Sequence, residues 1–291
     1  MRATDIKKVG VVGCGLMGSG IAEVCARSGV AVLVQEINVT AAERGEKRII
    51  TSLDRAAQSG KITEELRDAT LNNLSFTSNI EDLFDCDLVI EAVIENESLK
   101  TELFIALDRI VTKENAILAT NTSSIPVMKL GMMTQRPSQV VGIHFFNPVP
   151  VLRLVEIVPS LLTSEETVIN SKAFAEQILN KRVVLAKDRA GFIVNSLLVP
   201  YILSAIRMLE SGYASAEDID TGMVEGCAHP MGPLRLADLI GLDTTASVAE
   251  SLYAEFKEPL FAAPPLLCRM VDAGLLGRKA GRGFYEYRKK Q

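Results

Sequence analysis

Apolar residues change their period along this chain, and the change divides it in two. Residues 9–12, 31–34, 88–91, 116–119 and 140–143 are short, nearly unbroken apolar runs rich in valine and isoleucine. Such runs suit strands buried on both faces of a parallel sheet. Between them the apolar positions recur at helical spacing: Met17, Ile21, Val24 and Cys25 over 16–27, and Leu99, Leu103, Phe104, Leu107 and Ile110 over 97–111. Segments 154–158 and 182–186 read as further strands flanking a helix over 165–179. From Lys187 strand signals vanish. Helical patterns at 194–211, 215–224, 234–239, 244–256 and 266–273 are punctuated by Gly212, Pro230, Pro233, Pro259 and Pro264-Pro265. The pattern predicts an α/β domain over 1–187, doubly wound around a mainly parallel sheet, and an all-helical domain over 188–291. No internal repeat is visible.

The first strand runs into Gly13, Gly15 and Gly18, spaced G-x-G-x-x-G, and the second ends at Glu36. Gly13 permits a tight turn, Gly15 lets backbone approach a pyrophosphate, and Gly18 lets the helix pack close to the strand. Leu16 and Met17 open that helix, where unpaired N–H groups and the dipole favour phosphate. Glu36 can accept hydrogen bonds from a ribose, and its charge opposes a 2′-phosphate, which favours NAD over NADP. Strand, glycines, helix, strand and acid together identify a Rossmann-type dinucleotide site. A glycine triplet alone would not.

Ligands of such sheets bind beyond the C-terminal strand ends. That edge receives Glu95, Asn121, Ser123 and His144. His144 is followed by Phe-Phe-Asn-Pro-Val-Pro, an apolar setting for an imidazole, and Glu156 interrupts Leu-Val-Glu-Ile-Val. A buried carboxylate needs a partner, and His144 is a natural one. The pair would fix the imidazole's tautomer and make it a base for an alcohol proton. The bland alternative is a structural histidine and a capping glutamate. Asn121 and Ser123 could hold a nicotinamide amide or a substrate carbonyl, or merely cap a helix. Asn195 is a third polar residue in an apolar setting, whereas His229, before Pro230, reads as structural.

A polar-faced helix is expected over 40–58, starting at the capping residue Thr40. Arg44, Arg48 and Arg55 fall within roughly 40° of one another on it. They form either a solvated face or a dock for a phosphate-bearing substrate.

A net charge of −5 gives no support for nucleic-acid binding. The opening Met-Arg-Ala-Thr-Asp-Ile-Lys-Lys has no apolar signal region. Residues 190–206 lack charge but contain Asn195, Ser196, Pro200 and Ser204, so a buried helix is expected rather than a membrane span. Five scattered cysteines form no C-x-x-C pair. They predict neither metal nor disulfides and fit a reducing cytoplasm.

Taken together, the segments at 13–22, 90–96, 120–124, 144–150, 191–195, 229–233, 241–244 and 277–285 resemble those of short-chain L-3-hydroxyacyl-CoA dehydrogenases, bacterial 3-hydroxybutyryl-CoA dehydrogenases in particular. The resemblance runs almost end to end. It implies interconversion of an L-3-hydroxyacyl-CoA with its 3-keto form using NAD. His144 would be the base and Glu156 its orienting partner, with Ser123 and Asn195 bonded to substrate. Glu95, Lys100, Asn121, Asn147 and Lys279 would line the cofactor. Family members hold CoA through a Ser and a Lys seven residues apart. Here Ser52 fits, but Ser59 stands at the Lys position and Lys61 lies two further on. The resemblance also shifts the arginine stripe toward a CoA-phosphate surface. A homodimer built on the helical domain is expected. Two rival readings are a dehydrogenase of a small free hydroxy acid, L-gulonate-like, and a non-catalytic dinucleotide-binding protein.

Overall fold

The computed structural model describes residues 5–287. The first four residues of the charged opening segment lie outside them. The chain divides between Asp188 and Arg189 into two compact units.

In the first unit eight strands form one sheet in the order β3-β2-β1-β4-β5-β6-β7-β8. Their ranges are β1 Lys8–Val12, β2 Ala31–Gln35, β3 Leu74–Thr77, β4 Leu88–Glu91, β5 Ile117–Thr120, β6 Val140–Phe145, β7 Leu154–Pro159 and β8 Arg182–Leu185. The first six run parallel. β7 pairs antiparallel with β6, and β8 runs parallel to β7. The order reverses between β1 and β4, the crevice where open α/β sheets bind dinucleotides. Strand β3 has no counterpart among the apolar runs. Its Leu-Ser-Phe-Thr is half polar and only half-buried at the sheet edge, so the signal for a buried strand is missing.

The helices are α1 Leu16–Arg27, α2 Val39–Gln58, α3 Glu64–Asn72, α4 Glu97–Ile110, α5 Val127–Gly131 and α6 Glu165–Ala173, the last continued by a π turn over Phe174–Ile178. Short polar side chains start most of them. Asn38, Thr63, Asn96 and Ser164 accept hydrogen bonds from N–H groups of the first turns of α2, α3, α4 and α6, each worth about 1 kcal/mol. For α2 the cap is Asn38, not Thr40, which lies inside the helix. The core runs through Val9, Val11, Ile21, Val32, Val34, Leu53, Leu88, Ile90, Ile143 and Ile157, from both layers. Asp87 ties the lower end of β1 by accepting from the N–H groups of Lys7 and Lys8.

Helix α2 crosses the glycine turn closely. A Cβ at Gly45 would lie 2.5 Å from the Cys14 Sγ, and Arg48 Nη1 donates to the Cys14 carbonyl at 2.6 Å. Burial beside Glu36, only partly offset by Arg48, pushes the Cys14 thiol up to about 12.

The second unit is helical: α7 Val194–Glu210, α8 Ala216–Cys227, α9 Pro233–Ile240, α10 Leu242–Phe256 and α11 Pro265–Asp272. Its core gathers Ile202, Leu203, Ile206, Leu234, Leu242, Ala249, Leu252 and Leu267. Asp220 accepts from the Leu234 and Arg235 N–H groups at the start of α9. Among the described residues no helix is long and apolar enough to cross a membrane.

Candidate active site

The glycine turn meets the requirements of a pyrophosphate cradle one by one. Gly13 has φ +88°, and a Cβ there would press on the Ala92 carbonyl at 2.9 Å. A Cβ on Gly18 would overlap the Gly13 carbonyl oxygen at 1.8 Å. Gly15 differs: nothing of the protein lies within 4 Å of the place its Cβ would take. The fold does not need a glycine at that position, so the space is available to a ligand. The first-turn N–H groups of α1 have no partners within the helix. Glu36 accepts from the Cys14 N–H at 2.5 Å and the Ile37 N–H at 3.1 Å, which fixes its carboxylate beside the turn. These residues fit NAD: a turn free of Cβ for the phosphates, a helix dipole, and an acid at the tip of β2.

At the end of β6, His144 sits in register with Glu156 of β7. Nδ1 of the imidazole is 2.7 Å from Glu156 Oε2, and both side chains are buried. Nε2 faces the other way, 3.3 Å from Ser123 Oγ. Phe146 lies edge-on to the imidazole, with ring centroids 4.6 Å apart. His144 is thus inside the strand, with Phe145 following it, rather than at its last residue. A base whose far nitrogen is held by a carboxylate and whose near nitrogen meets a half-buried hydroxyl is arranged to exchange one proton with an alcohol oxygen.

Ser123 owes its place to a charged network that the sequence reading only partly anticipated. Glu95 Oε1 accepts the Ser123 N–H at 3.0 Å and both the N–H and hydroxyl of Ser124, and it also receives the Thr122 hydroxyl. Its other oxygen is 2.8 Å from Lys100 Nζ. Lys100 is 1% exposed and sits equally close to Glu91 Oε1, at 2.8 Å. Glu91 in turn accepts the Thr120 hydroxyl and the Val93 N–H. Burial would raise Glu95, but the Lys100 ammonium and the hydroxyl and N–H donors outweigh it and hold Glu95 below the usual carboxylate range. Glu91 was missed. Its signal was a carboxylate closing an apolar strand with a lysine nine residues on, buried on the inner face of α4.

Asn121 is spent partly on structure, its Oδ1 accepting the Phe145 N–H at 2.8 Å. Asn147 is exposed, just before a cis peptide to Pro148.

Leu16, Arg44, Arg48, Ser52, Arg55, Lys61 and Asn147 line one groove of about 970 Å³ between α1, α2 and the turn at 147–151. The arginine stripe therefore faces a concavity. Lys181, also missed by sequence, holds the groove's far wall. It donates to the Val149 and Leu152 carbonyls at 2.5 and 2.7 Å, and burial next to Arg27 lowers its pKa.

Asn195 and Lys279 belong to the helical unit. Asn195 is in the first turn of α7. Lys279 Nζ pairs with Asp243 at 2.5 Å. The His229 Nδ1 lies 3.2 Å from the Tyr201 hydroxyl, in keeping with a structural role. No group of side chains suited to a metal ion occurs among the described residues.

Two family models match the chain. One, described as 3-hydroxyacyl-CoA dehydrogenase, NAD binding domain, covers residues 8–189. The other, the 3-hydroxyacyl-CoA dehydrogenase C-terminal domain, covers 191–287. A 3-hydroxybutyryl-CoA dehydrogenase of Mycobacterium tuberculosis is 56% identical over 97% of this chain and 99% of its own length. A probable 3-hydroxybutyryl-CoA dehydrogenase of Bacillus subtilis is 45% identical over 98% of this chain and 99% of its own. Among solved structures, (S)-3-hydroxybutyryl-CoA dehydrogenase from Ralstonia eutropha superposes with a TM-score of 0.92 at 45% identity, covering 98% of this chain and 100% of that one.

Proposed function

The chain belongs to the 3-hydroxyacyl-CoA dehydrogenase family, and from that premise we propose that it interconverts L-3-hydroxybutyryl-CoA and acetoacetyl-CoA with NAD. The observation that carries the reading is the Ser123–His144–Glu156 chain of hydrogen bonds, built on the same sheet edge as the glycine turn.

In oxidation the His144 Nε2 takes the proton of the C3 hydroxyl while Ser123 Oγ holds that oxygen in place. NAD, which the glycine turn and Glu36 would hold, would supply the hydride acceptor for C3. Glu156 keeps the Nδ1 proton facing away from substrate and stabilises the imidazolium once it forms. In reduction the imidazolium returns its proton to the alkoxide oxygen. Orientation of the two reactants supplies much of the acceleration. Glu95, Lys100, Asn121 and Asn147 serve the cofactor side. Asn195 and Lys279 take their parts, a substrate hydrogen bond and a cofactor contact, from the family resemblance alone.

Acyl-CoA enters the groove of α1 and α2. Arg44, Arg48 and Arg55 meet its phosphates, with Ser52 and Lys61 beside them, and these cations replace the lysine that Ser59 lacks. The protein works as a homodimer through its helical unit, in a reducing cytoplasm where its thiols stay free. Sedimentation showing only monomer would refute the dimer.

The test compares NADH-dependent reduction of acetoacetyl-CoA with that of free acetoacetate, in wild type and His144→Ala. Turnover of the thioester alone, lost in the variant, is expected. Equal use of acetoacetate points to the free hydroxy-acid reading, and no turnover of either to a binding protein.

A further inference from the structure

Glu23 has no part in the chemistry above. It stands on α1 among Ile21, Ala22, Val24 and Cys25, is 1% exposed, and lines the α1–α2 groove. Its Oε1 has no hydrogen-bond partner. Arg27, one turn on, stops at 3.6 Å. Ser52, opposite on α2, lines the same groove. Lys181 faces it from the segment before β8, but its ammonium is committed to the Val149 and Leu152 carbonyls. Burial raises the carboxyl's pKa against the combined pull of Ser52, Arg27 and Lys181.

A buried carboxylate whose Oε1 is held only by a long ion pair to Arg27, with no hydrogen bond to that oxygen, is out of place in a groove whose outer cations, Arg44, Arg48 and Arg55, suit an anion. Ionised, it opposes every phosphate that enters. Protonated, it removes that repulsion and gains an O–H donor for a carbonyl or phosphate oxygen of the ligand.

We propose that Glu23 is the proton-coupled anchor of the acyl-CoA groove: the ligand binds with this carboxyl protonated, drawing one proton from solvent on binding and returning it on release. The inference rests on the reading of that groove as the CoA site. Affinity for acyl-CoA then falls as pH rises through the titration of Glu23. The balance is simple, since no covalent bond of the ligand changes and the proton is exchanged with buffer.

The test is calorimetric titration of acetoacetyl-CoA into wild type and Glu23→Gln, between pH 6.5 and 8.5, in buffers of different ionisation enthalpy. Wild type should take up more protons than the variant, by as much as one. The 3′-phosphate of CoA titrates in both enzymes alike, so the difference isolates Glu23. The ratio of wild-type to variant Kd should climb at least threefold across that range. A constant ratio with equal proton uptake overturns the proposal. Should the variant fold poorly, proton uptake by wild type alone, present or absent near neutral pH, still decides. Arg55→Gln separates the underlying reading. If its Kd for acetoacetyl-CoA matches wild type, the ligand does not use this groove and both claims fall; if it weakens severalfold, only the role of Glu23 is at stake.

Discussion

His144 and Glu156 are direct cross-strand partners in the antiparallel pairing of β6 with β7, and their side chains meet at 2.7 Å. Antiparallel register makes this contact a property of the backbone ladder, since a slip of one residue would turn the carboxylate to the opposite face. Replacing His144 with Ala should lower kcat by 10²-fold or more, the usual order for a general base. Glu156→Gln should lower kcat by about ten- to a hundredfold with KM for NADH little changed. Steady-state kinetics on the two variants test this, and near-normal turnover of His144→Ala would remove it from the mechanism.

The three glycines of the turn should fail in different ways. Gly18→Ala forces a Cβ onto the Gly13 carbonyl, so thermal unfolding should show a large loss of stability, about 2 kcal/mol or more. Gly15→Ala meets no protein atom. Its Tm should stay within a few degrees of wild type while KM for NADH rises at least tenfold. A destabilised Gly15→Ala would mean that position serves the fold rather than the ligand.

Removing the acid at the tip of β2 should relax cofactor choice. Glu36→Ala deletes the charge opposing a 2′-phosphate and leaves Arg48 beside the glycine turn. The ratio of kcat/KM for NADH over NADPH should fall by at least tenfold, about 1.4 kcal/mol. An unchanged ratio assigns discrimination elsewhere.

Two paired carboxylates make stability acid-sensitive. Asp87 would be raised by its burial, but Lys113 and the N–H groups of Lys7 and Lys8 bring it below its ordinary value. Glu95 is lowered in the same sense. A depressed folded-state pKa stabilises above the unfolded value, near 4, and that contribution is lost as pH falls through the folded value. The Tm of wild type should therefore drop below about pH 4. Asp87→Asn should be less stable at neutral pH and show a shallower acid decline. Parallel Tm profiles for the two proteins would contradict this.

Much of this was readable in the residues. The buried parallel strands announce themselves as apolar runs, and the glycines and Glu36 mark the cofactor crevice because their spacing is dictated by local backbone. His144 and Glu156 stood out as polar groups in apolar company. Strand β3 did not, being short, half polar and half-buried. The direction of β7 was equally hidden, because an apolar run looks alike read either way. Glu91, Lys181 and Glu23 are further cases: each is a charged residue whose burial depends on neighbours brought together only by the fold. Their one local sign was a charge at an inward-facing position of a strand or among helical apolar residues.

The contact between Gly45 and Cys14 joins the glycine turn mechanically to the groove proposed for acyl-CoA. Helix α2 carries Arg44, Arg48, Ser52 and Arg55 along one groove, yet it rests on the glycine turn with no room for even a methyl group and is tied to it through Arg48. The turn and the helix can shift only together. Loading the cofactor should therefore alter acyl-CoA affinity, and by reciprocity acyl-CoA should alter cofactor affinity by the same factor.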